Sequence, residues 1–150
     1  MRKLFYALCL ILLLSGPVAA EETKAIAVDV LSKTGSSWDG RDLPGYAAGK
    51  PEITILRIII APGAQLPLHK HPIINAGVLL KGELTVVTEE GKTLHLKAGD
   101  PIVEVVNTWH YGKNEGSSTT EIIVFYASVK GTPITIYKKS SASNPPHTEQ

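Results

Sequence analysis

The sequence predicts an all-β fold, an antiparallel sandwich or barrel, and three observations carry that prediction. Short runs of β-branched and apolar residues recur along most of the chain. Turn signals built on Gly, Asp, Glu and Pro separate them at intervals of roughly 8 to 15 residues. No stretch of useful length combines a helical apolar period with caps at both ends.

Taken in order, Ala25–Leu31 reads as a first strand. Residues 34–50, rich in Gly, Ser and Asp around Trp38, Pro44 and Tyr46, read as an ordered loop across the barrel or its mouth, anchored by those aromatic rings. Ile53–Ile60 is a long β-branched strand closed by Pro62-Gly63. Asn75–Leu80 turns at Lys81-Gly82 into Glu83–Thr88, which turns at Glu90-Gly91 into Thr93–Leu96. Ala98-Gly99-Asp100 leads into Ile102–Val106, and Glu121–Ala127 and Ile134–Tyr137 complete the series. There is no internal repeat.

Two ends stand apart from this rhythm. Arg2 and Lys3 precede an apolar run of eleven residues, Leu4–Leu14, and Val18-Ala19-Ala20 supplies small side chains at a cleavage site. Residues 1–20 are therefore expected to be a signal peptide cut after Ala20, which places the mature protein in the periplasm or outside the cell. As a helix, that run reaches only about half of a hydrocarbon core roughly 30 Å thick, so it is too short for a permanent span. Residues 140–150, with Pro145-Pro146 and His147, read as a disordered tail, which leaves residues 21–139 as one folded domain.

Cys9, the only cysteine, leaves with the leader, so the mature domain depends on an apolar core, helped by any bound metal, and not on disulfides. Removal of Arg2 and Lys3 leaves 13 basic against 14 acidic residues, a net charge of −1. No basic stripe with interleaved aromatics is present, which argues against nucleic acid as a partner. No second apolar segment is long enough to cross a membrane, so none is expected after cleavage.

The chemistry-bearing residues lie in two stretches. The first runs Gly63, five residues, His69-Lys70-His71, three residues, Asn75, six residues, Gly82. On an extended strand His69 and His71 share a face, Lys70 points the other way, and Asn75 keeps the inward parity if the strand stays regular past Pro72. The second runs Gly99-Asp100, Val105, Asn107, His110, three residues, Asn114. Only the fold can bring His110 to the other two. Three neutral imidazoles converging in a barrel suit Fe, Mn, Ni, Zn or Cu, with positions left open for water or substrate. The alternative is a hydrogen-bonded polar cluster that holds no metal.

Both stretches resemble the two sequence motifs of the cupin superfamily. The resemblance covers residues 52–127 and implies a cupin-type barrel, a double-stranded β-helix or jelly roll. It implies one divalent metal held by His69, His71 and His110. The chain departs from the pattern where Asn75 replaces a glutamate ligand and where Val105 and Asn107 replace a proline and a glycine. Asn75 is accordingly a candidate metal ligand or a hydrogen-bonding neighbour of the site. Without that glutamate, three imidazoles leave a formally +2 centre, suited to an anionic or enolisable oxygen substrate.

Glu104 shares parity with Ile102 and Val106, so it can reach the cavity and is the one candidate catalytic residue, although a solvated or ion-paired carboxylate is the more ordinary reading. His95, between Leu94 and Leu96, is expected to face solvent, and Trp109 to serve packing. Two functions remain open on these residues. One is a metal-dependent, dioxygenase-like oxidoreductase acting on a small molecule, to which the three-histidine set is similar. The other is a noncatalytic, metal-stabilised binder of small ligands, with Ala25–Leu31 as the pairing element of a homodimer.

Overall fold

A computed structural model describes residues 26–139; the expected signal peptide, Cys9, the C-terminal tail and His147 lie outside the described residues. Among these, nine strands form in chain order. They are β1 (Pro51–Ile60), β2 (His69–Lys70), β3 (Ile74–Lys81), β4 (Glu83–Thr88), β5 (Thr93–Lys97), β6 (Pro101–Val103), β7 (His110–Lys113), β8 (Thr120–Val129) and β9 (Ile136–Tyr137). Two antiparallel sheets result, one in the order β1-β8-β3-β6 and the other β5-β4-β7-β2-β9. This is the jelly-roll arrangement expected from the sequence.

The core lies between the sheets because alternate residues of each strand point inward. From the first sheet come Ile60, Leu79, Ile102, Ile122, Val124 and Tyr126, and from the second Leu84, Val86 and Leu96. β1 and β8 pair without a break from Pro51↔Val129 to Ile60↔Thr120, and β3 lies on the other side of β8. Gly82 makes the β3–β4 turn at φ 75°, and a Cβ there would stand 2.8 Å from the Thr119 carbonyl oxygen. No other residue fits that corner. Asn114 closes the same end, donating from Nδ2 to the carbonyls of Ile60 and Ser118 and accepting from Gly116 N–H.

Four expectations are corrected. Residues 26–31 form no strand; Ile26, Val28 and Val30 stand exposed, because neither sheet takes up this segment to cover their apolar side. The strand expected over Ile102–Val106 ends at Val103, where the ladder with β3 stops; Val106 instead makes a parallel bridge to His71. A strand not expected from the sequence, β7, forms because β4 and β2 flank it and supply its hydrogen bonds, which overrides the weak strand propensity of Gly112 and Lys113. Tyr46 anchors nothing: it is 84% exposed.

The rest of the 34–50 loop is ordered as expected. Ser36 bridges Asp42, Trp38 N–H donates to Val103 O, and the indole packs on the core. Arg41 ties the loop to Glu90 and, at 2.6 Å, to Thr108. Trp38 is thereby seated beside the end of β6.

Leu79 is fully buried in the middle of β3. Leu79→Ala is expected to cost about 3 kcal/mol through lost burial and the cavity left behind, measured as a lowered midpoint of urea unfolding.

Candidate metal centre

β2 is only two residues long, yet it is held on both sides, with His69 opposite His110 of β7 and opposite Tyr137 of β9. That register sets two imidazoles side by side. His71 follows at the same parity, fixed by its bridge to Val106 and by the Asn107 N–H, which donates to the His71 carbonyl. Asn107 takes φ 56° to do so, a left-handed turn that Asn tolerates as a glycine would. His69, His71, Ile73 and Asn75 are all buried, so the alternation continues past Pro72 as expected.

The three rings converge. Their centroids are 4.5 to 5.1 Å apart, and each offers a ring nitrogen within 4.8 Å of the others. In every ring Nδ1 is occupied: His69 donates to Pro67 O at 2.7 Å, His71 to Ile134 O at 2.7 Å and His110 to Thr108 O at 2.9 Å. A carbonyl oxygen only accepts, so the proton sits on Nδ1 and the Nε2 lone pair faces inward. The His110 Nε2 is buried with no partner. Burial lowers the pKa of all three rings, that of His71 to about 3, so they are neutral at physiological pH. Neutral imidazoles, oriented by outer hydrogen bonds and carrying unused inward lone pairs, fit a divalent transition ion.

Glu104 also arrives. It is 8% exposed, and its Oε2 lies 3.6 Å from His110 Nε2, the contact being no ion pair while that ring is neutral. Burial pushes its pKa up to about 7, against the smaller opposing influences of His69, the Val105 N–H and the Trp38 indole. Asn75 is buried, and neither atom of its amide has a hydrogen-bond partner. It is not among the residues that line the cavity around the three histidines.

Tyr126 lines that cavity and was not singled out from the sequence. The signal was available: it shares inward parity on β8 with Ile122 and Val124, so a phenol interrupts an apolar series. Burial and the neighbouring Glu104 push its pKa up to about 12, so it remains an O–H donor. His95 is exposed as expected. Trp109 lies under Lys70 and Lys138, whose ammonium nitrogens are 5.0 and 5.6 Å from its ring, which is a packing role.

The cavity is small, about 40 Å³, walled by aliphatic side chains around the three histidines, Glu104 and Tyr126. A roomier hollow of about 290 Å³ lies on the outer face of the first sheet, between Leu31 and Phe125, and no metal-ligating side chain lines it.

A family model described as a cupin domain matches residues 56–126. The Phomopsin biosynthesis cluster protein C' of Diaporthe leptostromiformis is 32% identical over 102 residues, which are 67% of this chain and 49% of that protein. The chain thus spans about half the length of this curated relative. The DMSP lyase DddQ from Ruegeria pomeroyi DSS-3 matches with a TM-score of 0.52 at 16% identity, over 61% of this chain and 45% of that one. An oxalate oxidase in complex with the substrate analogue glycolate matches with a TM-score of 0.50 at 23% identity, over 77% and 61%. These two likenesses are likenesses of fold.

The depressed pKa of His71 makes stability depend on pH. A histidine whose folded pKa lies near 3 rather than 6.5 contributes stability that is full above 6.5 and lost as pH falls toward 3. In chelator-treated protein this residue is expected to withdraw about 4 kcal/mol across that interval. Urea midpoints measured from pH 7 to pH 3 check this, and His71→Gln is expected to flatten the slope.

Proposed function

The chain belongs to the cupin superfamily through residues 56–126, and we propose that it is an exported metalloprotein that acts on a small oxygen-bearing molecule, in the manner of a dioxygenase. The observation that carries this reading is the set of three inward Nε2 lone pairs, each fixed by an Nδ1–H bond to a backbone carbonyl. His69, His71 and His110 hold one divalent ion of Fe, Mn, Ni, Zn or Cu. When bound, such an ion polarises an oxygen ligand or activates O₂ beside it. The chain supplies the rest. Tyr126 presents a neutral O–H donor to the ligand's oxygen, and Glu104 supplies the negative charge or proton acceptor of the site. Ile60, Val86, Ile122 and Val124 exclude bulk water.

A noncatalytic binder is the second reading, and the cavity favours it. About 40 Å³ is far below the 300 Å³ or more of typical ligand pockets, so only a ligand of a few heavy atoms enters without rearrangement. In either case the mature chain starts after Ala20. A homodimer would cover the apolar outer face of the first sheet, where Ile53, Ile55, Ile59 and Phe125 are exposed, together with the 26–31 segment.

Wild type is expected to bind about one equivalent of Co(II) or Mn(II) per chain, and His69→Ala and His110→Ala to retain less than about a tenth of that, measured by elemental analysis. Small carboxylic acids that change the visible spectrum of the Co(II) protein mark an open coordination position and favour the enzyme. A spectrum indifferent to all of them favours the binder. N-terminal sequencing of exported protein is expected to begin at Glu21.

A further inference from the structure

Asn75 and Glu104 are cross-strand partners. The β3–β6 register runs Val78↔Pro101, Gly77↔Ile102, Ala76↔Val103, and its next step brings Asn75 opposite Glu104. The Glu104 N–H donates to the Asn75 carbonyl at 3.1 Å, which confirms that step. Both residues share inward parity, and both are buried. Three of their side-chain polar atoms, Asn75 Oδ1, Asn75 Nδ2 and Glu104 Oε2, have no hydrogen-bond partner. Buried polar groups almost always have one, so three orphans on one pair of facing residues call for an explanation.

The cavity supplies it. Among the described residues Glu104 is its only carboxylate, and no lysine or arginine lines it. An isolated buried carboxylate is costly, and among the described residues no lysine or arginine is placed to offset it. Its Oε2 stands 3.6 Å from His110 Nε2, itself buried and unpartnered. Two ligand atoms, each about 2.1 Å from one tetrahedral ion, are about 3.4 Å apart. Glu104 is not one of the group whose ligand atoms all lie within 4.8 Å of one another, and approaches it from the side of His110.

We propose that Glu104 is a fourth ligand of the metal, and that Asn75, across the strand pair, donates a hydrogen bond from its amide to the Glu104 carboxylate. This rests on the three-histidine metal site proposed above and assigns its charge. The acidic ligand comes from the end of β6, with an amide behind it on β3. The bound centre then carries a formal +1 rather than +2. It favours the harder ions of the set, Mn(II) and Fe(II), over Cu(II), and keeps fewer open positions for a ligand. The Trp38 indole N–H is likewise buried without a hydrogen-bond partner.

The test is Mn(II) affinity by chelator competition, together with the visible spectrum of the Co(II) protein, on wild type, Glu104→Gln, Asn75→Ala and the transposed double variant Asn75→Glu/Glu104→Gln. Loss of the ligand is expected to weaken Mn(II) binding at least tenfold and to change the Co(II) band intensities. Asn75→Ala is expected to weaken binding by a smaller factor with the Co(II) bands retained. The double variant should recover part of the affinity lost by Glu104→Gln. Equal affinity and an unchanged spectrum in Glu104→Gln overturn the proposal while leaving the histidine site standing, provided His69→Ala and His110→Ala abolish binding. Wild type that binds no metal overturns both. If Glu104→Gln does not fold, wild type decides: in protein labelled with ¹³C-glutamate, Mn(II) should shift a carboxylate infrared band, and no shift counts against Glu104 as ligand.

Discussion

The site depends on a strand of two residues. β2 has almost no cooperativity of its own, and it exists because β7 and β9 hydrogen-bond to it from either side. Its register places His69 against His110, and the chain's return at Asn107 clamps His71 from the other direction. Once the backbone is set, each ring finds a carbonyl for its Nδ1 proton, two of them only two residues upstream of the histidine itself. The tautomers and the inward lone pairs follow from local geometry, so a ligand that arrives needs little reorganisation of the rings.

The same barrel that positions these groups also makes them expensive. Neutral histidines tolerate an apolar cavity because their unfavourable cationic form is suppressed by burial. A carboxylate has no such refuge short of protonation, and Glu104 is pushed in that direction. Polar atoms of His110, Glu104 and Asn75 remain unpaired within a few residues of one another, while the rest of the core, from Leu79 to Val124, is apolar and well buried. Around the three histidines these unpaired polar atoms gather in a cluster that a bound cation would relieve.

Outside, the first sheet carries more apolar surface than a face turned to water needs. Isoleucines 53, 55 and 59 alternate with inward Leu56, Ile58 and Ile60, so β1 is apolar on both sides. The loop that carries Trp38 shows the contrasting behaviour: one aromatic ring is tucked against the core and the other, Tyr46, is left in solvent. Tethering by Arg41 and Trp38 is sufficient to hold that loop in place.

Local pattern in the sequence determined the strands whose residues carry their own β propensity, such as β1, β4 and β8, and the inward parity of His69, His71, Asn75 and Glu104. Period-two alternation needs no partner to be legible. That His110 joins the pair was implied by the resemblance of both stretches to the cupin motifs and by nothing in the local pattern. Only the tertiary structure decided where pairing partners make or unmake a strand. β7 forms between two neighbours despite weak propensity, and residues 26–31 form none because no sheet takes them up. Tertiary structure also set Asn75 and Glu104 face to face and made Tyr126 part of the cavity, since cross-strand register is a property of two segments together and is written in neither alone.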